Sequence, residues 1–284
     1  MNVPELLPEE RLVRWPVILG RIGWIDRIGV FGAIAITIIA LFATWLTPFN
    51  PQLRVAAAYL PPSWEHWFGT DEIGRDLFSR IVLGIQYTWL PAIVLILVSL
   101  IVGGCIGMIP GLVSRRLDML AQWLVDFFLV LPSTLVALAV IATLGAGLTN
   151  TMIAIGIAWW PWYARISRDE LRRLNARPHV EAARIAGIGG PRLLLRYILP
   201  GAIPALLVAA TLDVANVIMT MSLMSFIGLG QPAPAPELGA MTSRALDSLS
   251  AYWWLPMLPA AVIFLICLFA NLAGDGLRTA LRGA

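Results

Sequence analysis

Lysine is absent. All 20 basic residues of this 284-residue chain are arginine, and that absence removes two classes of chemistry. A P-loop needs a lysine to reach the β- and γ-phosphates of a nucleotide, and Schiff-base chemistry needs a lysine amine. Any ATP-driven work must therefore be powered by another polypeptide. Cysteine is almost missing as well. Cys105 and Cys267 each lie inside an apolar run; they form no disulfide framework and are expected to be reduced and buried in lipid or core. The two histidines, His66 and His179, are too few and too distant in sequence to suggest a metal cluster. Charge itself is scarce: 13% of the residues against 59% hydrophobic, where a soluble domain carries about 25% charged residues. The composition is that of an all-α polytopic membrane protein.

Crossing roughly 30 Å of hydrocarbon takes about 20 apolar residues. Six runs approach that length: 28–47, 87–112, 119–143, 151–168, 200–228 and 253–274. The fourth is interrupted by Pro161 and Arg165 and is expected to continue as a polar helix. An even number of spans puts both termini on one side. If that side is cytoplasmic, sixteen arginines lie inside, including Arg11, Arg14, Arg21, Arg27, Arg115, Arg116, Arg278 and Arg282. Only Arg54, Arg75, Arg80 and Arg244 then lie outside. The bias follows the positive-inside rule, so six transmembrane helices with cytoplasmic termini are expected. The first run is longer than the 7–15 residues of a signal-peptide core and is expected to remain as a span. The organisation is then a cytoplasmic segment 1–27 and a membrane domain 28–284. The latter carries an external segment 48–86, a cytoplasmic loop 169–199 and an external loop 229–252. No soluble domain, coiled coil, long low-complexity tail or inverted repeat is visible.

The stretch "HVEAARIAGIGGPR" (179–192) sits in the densest arginine run yet is built of small residues. Pro178 suits the first helical position, where a missing N–H costs nothing, and Glu181 lies where the helix dipole favours an anion. Gly189-Gly190 offers a left-handed stop and Pro191 a fresh start. A helix of about ten residues, about 15 Å long, is too short to span a bilayer. Helical spacing groups Val180, Ala183 and Gly187 on one face and Glu181, Ile185 and Ile188 on another. The first face is small enough for another protein's backbone to approach; the alternative is a loop helix packed on the ends of its own membrane helices.

These residues carry a resemblance. "EAARIAG" followed by "YILPG" resembles the EAA loop of ABC-importer permeases. The stretches "GTDEIGRDLFSR" (69–80), "YARISRDELRRL" (163–174), "MSFIGLGQPAPAPELG" (224–239) and "NLAGDGLRTALR" (271–282) are similar to the C-type permease of the dipeptide, oligopeptide and nickel branch. The likeness runs in order from about residue 28 to 282. Tyr197 and Gly201 stand where that branch often has His and Asn, and Pro178-His179 replaces a more usual acidic-aromatic pair. The resemblance implies a type I importer fold in the cytoplasmic (inner) membrane, without enzymatic activity of its own. It also implies a second homologous permease, two ATP-binding subunits that consume ATP and Mg²⁺, and an extracytoplasmic substrate-binding protein; this chain itself would bind no cofactor. Glu181, Ala182, Ala183, Arg184 and Gly187 would then form the coupling helix seated on the ATPase.

Charge inside a membrane is costly and functional by default. Asp126 in the third run, and Asp213 with Asn216 in the fifth, are candidates for the translocation path, with a structural hydrogen bond to a neighbouring helix as the alternative. Met219, Met221 and Met224 suit soft-metal handling or core packing. Outside, His66, Glu65, Asp71, Glu72 and Asp76 include metal-ligand types without a fixed geometry, and no metal is assigned to them. Gly69, Thr70 and Asp71 with Gly74, Arg75 and Asp76 instead suggest a hydrogen-bonded elbow leading into the second span, on the side where the family receives its binding protein. The basic loop lacks aromatic interleaving, so nucleic acid is not expected as a partner. Di- or oligopeptides and nickel or metal chelates both stand as cargo. A secondary transporter or channel acting alone, and a membrane enzyme, are the competing classes; the latter lacks a convergent catalytic set.

Overall fold

The computed structural model describes residues 23–282. Arg11, Arg14 and Arg21, with nearly all of the segment 1–27, lie outside the described residues, as does the side chain of Arg282. The regular elements of the described chain are helices: α1 (Trp24–Leu46), α2 (Leu77–Val113), α3 (Arg115–Val130), α4 (Ser133–Leu144), α5 (Leu148–Asn175), α6 (Pro178–Ile185) and α7 (Gly190–Leu193). A π-helical turn (Leu194–Ile198) leads into α8 (Leu199–Phe226), followed by α9 (Leu238–Arg244), a 3₁₀ turn (Leu246–Ser248) and α10 (Trp254–Arg282). With no water in hydrocarbon to satisfy backbone groups, helices that close their own hydrogen bonds are what such a composition can form.

Among the described residues four helices are long and apolar enough to cross a membrane: Trp24–Leu46, Leu77–Val113, Gly190–Phe226 and Trp254–Leu281. The pair α3 and α4 makes a fifth if counted as one broken span. The run 119–143, expected to be continuous, is thus corrected: its two helices meet at 90°. Pro132 is the cause. Its ring disfavours helical geometry at the preceding residue, and Leu131 is extended (φ −79°, ψ 135°). The second run also starts ten residues before its expected Tyr87, so the end of the segment 48–86 is helix. Asp76 sets that start, its Oδ2 accepting the Ser79 N–H at 2.8 Å as an N-cap. The fourth run lies in α5, a single 28-residue helix whose last turns carry Arg172 and Arg173.

Large apolar side chains face outward along the helices; Phe31, Ile101, Leu120 and Phe264 are all exposed, as suits a lipid-facing surface. Inside, Trp89, Ile155, Tyr163 and Ile218 belong to one buried cluster. Trp89 reaches across to donate from Nε1 to Thr37 Oγ1 at 3.0 Å. Cys267 is buried while Cys105 is exposed on α2.

Small residues let backbones meet where lipid supplies no hydrophobic drive between helices. Gly103 and Gly107 lie one turn apart on α2 against Trp160 and Ala164 of α5. A Cβ on Gly107 would press into the Ala164 carbonyl, whereas one on Gly104 would find its nearest neighbour, Ser167 Oγ, at 3.7 Å. Gly107→Val is therefore expected to destabilise the α2–α5 pair by about 1–3 kcal/mol or more, while Gly104→Ala is tolerated. Thermal aggregation of the detergent-solubilised proteins checks this, and equal midpoints for the two variants would contradict it.

The helices run back and forth between two ends. At one end the segment 47–76 meets the loop 227–253: Arg80 Nη1 donates to Pro51 O at 2.9 Å and to Pro234 O at 3.3 Å, and Tyr59 stacks on Tyr252 with centroids 4.3 Å apart. At the other end lies α6. The start of α1 and the end of α10 come together there, Asp26 beside Gly276.

Candidate functional site

The elbow 69–76 is assembled around two carboxylates. Asp71 Oδ1 accepts the backbone N–H groups of Ile73 and Arg75 at 3.0 and 2.9 Å, and its Oδ2 meets Arg75 Nε at 2.6 Å and Arg80 Nε at 3.3 Å. Asp76 caps α2 with Oδ2 and holds His66 Nδ1 at 2.9 Å with Oδ1. Gly69 and Gly74 adopt φ of +76° and +89°, and each lies tight against a carbonyl, of Leu60 and Ala56. Gly69, Thr70, Asp71, Gly74, Arg75 and Asp76 are all buried. Together they make a hydrogen-bonded elbow that leads into α2. They are the frame, and what a partner could touch here is their exposed neighbours Trp64, Trp67, Glu72 and Ile73.

Beside this frame, Glu237 caps α9, accepting the N–H groups of Gly239 and Ala240 at 3.1 and 2.9 Å. Burial pushes its carboxyl above the usual range, against the pull of those two N–H groups, the Ser225 hydroxyl and Arg244. An acid whose folded value is raised holds a proton that the opened loop releases. Its stabilising contribution is therefore complete below the ordinary carboxylate value and is lost as pH rises through the folded value. Proteolysis of the loop 227–253 is expected to quicken from acid to neutral pH in the wild type and to stay flat in Glu237→Gln. Superimposable pH profiles would reject this.

Between α3–α4, α5, α8 and α10 opens a cleft of about 970 Å³. Phe128, Trp159 and Trp162 form apolar walls, and Asp213, Asn216 and Arg278 bring polar groups into it. Asp213 is buried. Its Oδ2 accepts Trp159 Nε1 at 2.5 Å and Tyr163 OH at 3.0 Å, and its Oδ1 accepts Asn216 Nδ2 at 3.3 Å. Asp213 thus ties α5 to α8 by hydrogen bonds and also lines the cleft. Asp126 is not brought to it; its side chain is exposed and pairs with Arg165 between α3 and α5, next to the Asp118–Arg168 pair. The three methionines diverge as well, Met219 lining the cleft while Met221 and Met224 are buried in the core. Sequence reading did not find Trp159, Tyr163 or Arg278. The i, i+4 spacing of Trp159 and Tyr163 marks one helix face and was the available signal; for Arg278 none existed.

The short helix α6 spans eight residues, not ten, and its stop is Gly187 rather than Gly189-Gly190. Gly187 takes φ +82°; its N–H bonds Arg184 O at 2.9 Å and that of Ile188 bonds Ala183 O at 3.0 Å, the paired closure of a Schellman turn. A second correction concerns the faces. Val180 and Ala183 are buried with Leu171, Leu174, Ile198 and Leu206, so the small face is the anchor. The outward face carries Glu181, Ala182, Arg184 and Ile185, the last 83% exposed. Arg184 Nη2 also ties the helix to Asn175 Oδ1 at 2.8 Å.

Residues 103–282, which include the cleft-forming helices α5, α8 and α10 and all of α6, match the family model described as binding-protein-dependent transport system inner membrane component. The chain belongs to this family. Within it, the permease is 39% identical over 260 residues to the di/tripeptide transport system permease protein DppC of Pseudomonas aeruginosa, covering 89% of this chain and 86% of the relative. It is 36% identical to the probable D,D-dipeptide transport system permease protein DdpC of Escherichia coli, over 84% and 80%. It is 34% identical to the nickel transport system permease protein NikC of Escherichia coli, over 90% and 92%. The crystal structure of an amino acid ABC transporter with histidines shares the fold, with a TM-score of 0.56 at 18% identity over 71% of this chain and 94% of that one. This is an ABC-importer permease of the dipeptide and nickel family, a multi-pass inner-membrane transport subunit.

Proposed function

We propose that the permease forms half of the membrane path of an ATP-driven importer of di- and oligopeptides. Six passes are read from α1, α2, the broken pair α3–α4, α5, α8 and α10, with both termini cytoplasmic; the meeting of Asp26 with Gly276 at the α6 end supports that reading. A second homologous permease completes the path, and an extracytoplasmic binding protein delivers cargo near the frame 69–76. Two ATP-binding subunits seat on the Glu181–Ile185 face and consume ATP and Mg²⁺, which a lysine-free chain cannot do through a P-loop.

One observation carries the coupling. The inner face of α6, Val180 and Ala183, shares one buried cluster with Leu171 and Leu174 of α5, Ile198 of the π-helical turn, and Ala202 and Leu206 of α8. Those same two helices hold the cleft through Trp159, Tyr163, Asp213 and Asn216. A push on α6 is thus delivered to both walls of the path, because packed interiors transmit strain instead of absorbing it. The peptide assignment draws on the di/tripeptide and D,D-dipeptide relatives; a nickel or metal-chelate cargo is the second reading, supported by the nickel relative. A cysteine at exposed Ala182, in a complex that imports, is expected to crosslink to an ATP-binding subunit, and a labelled dipeptide to accumulate in preference to nickel. Import without any such crosslink would overturn the coupling role, and nickel accumulation alone would overturn the cargo.

A further inference from the structure

The cleft holds two ionisable side chains with unequal partners. Asp213 directs its oxygens at three donors of its own chain, using three of about four acceptor positions. An incoming ammonium group finds it already engaged. Arg278 lines the same cleft and, among the described residues, makes no ion pair or hydrogen bond. Its position along the path is set by packing. Cys267 meets Ala215 and Gly274 meets Leu212, so α10 runs opposite to α8. Arg278, one turn beyond Gly274, lies about 6 Å further along, on the side of Leu212 that leads toward Ala205.

We infer that Arg278 is a specificity-determining residue that receives the carboxylate of cargo in the cleft, while Trp159 and Trp162 flank its apolar part. A guanidinium presents a planar fork that pairs bidentately with a carboxylate, and the apolar walls strengthen that pairing relative to water. The same free cation repels a bare divalent metal ion, so the cleft favours zwitterionic or anionic cargo. This assignment rests on the peptide-import reading above.

The test uses the complete complex of both permeases and the ATP-binding subunits in lipid nanodiscs, without binding protein. A photoreactive peptide with a free carboxylate and its carboxamide are compared on wild type, R278Q and R278K. Labelling of wild type by the acid is expected to exceed that by the amide. R278Q is expected to weaken acid labelling roughly tenfold or more, the size of a lost charged hydrogen bond, and to leave the amide unchanged, while R278K recovers part of the loss. Equal effects on acid and amide, no effect on either, or loss of the ATP-binding subunits from R278Q would overturn the assignment while peptide labelling of wild type stood. If neither peptide labels wild type and nickel is imported, the peptide reading itself fails, and the role of Arg278 with it.

Discussion

An Ile185→Asp permease is expected to reach the membrane at wild-type levels and to lose its ATP-binding subunits, with import falling at least tenfold. Ile185 is 83% exposed on a helix whose opposite face is locked by Val180 and Ala183, so the substitution removes little from the chain's own packing. Covering an isoleucine side chain contributes about 1.5–3 kcal/mol. Replacing it with a carboxylate forfeits that contribution and adds an unpaired charge to an interface centre, where burying a lone charge is costly. At 1.4 kcal/mol per tenfold, the lost contact alone weakens assembly about ten- to a hundredfold. Ile185→Leu, near in volume, should stay within about 1.5 kcal/mol of wild type. Co-purification of the ATP-binding subunits and cargo uptake are the paired measurements. Wild-type assembly by Ile185→Asp would show that this face is not where the partner sits.

Asp71→Ala is expected to have the largest effect on the fold itself. One carboxylate there satisfies two backbone N–H groups and two buried guanidiniums, of Arg75 and Arg80. Its removal leaves Arg80, 2% exposed, with carbonyl partners only, at Pro51 and Pro234. Breaking a buried pair from one side costs about 3–5 kcal/mol. Because Arg80 also ties the segment 47–76 to the loop 227–253, both should become cleavable together by protease in nanodiscs, whereas Glu72→Ala, whose side chain is 43% exposed, should leave both protected. Cleavage of only one segment, or of neither, would contradict the shared-anchor account.

Much of the architecture is written in local chemistry. Asp76 as a cap, Pro178 as a first helical residue and the apolar runs themselves act through the backbone nearest them, and they lie where sequence reasoning looks. Pro132 belongs with these signals: its restriction on Leu131 is local and breaks the apolar run 119–143 into two helices. Gly187 shows the limit of such signals, since three glycines within four positions could each have ended α6 and only the chain's onward direction chose among them.

The sequence by itself determined that the chain is a lysine-free, membrane-crossing bundle with a short capped helix in its basic loop, because burial of apolar runs and helix termination are properties of contiguous residues. Only the tertiary structure decided which face of that helix is free. The patterns of Val180–Ala183 and Glu181–Ile185 are equally periodic, and the difference between them lies in Leu171 and Leu206, contributed by other helices. The separation of Asp126 from Asp213, and the arrival of Arg278 in the cleft that Asp213 lines, are of the same kind: contacts between helices distant in the chain are settled by packing, which no local pattern encodes.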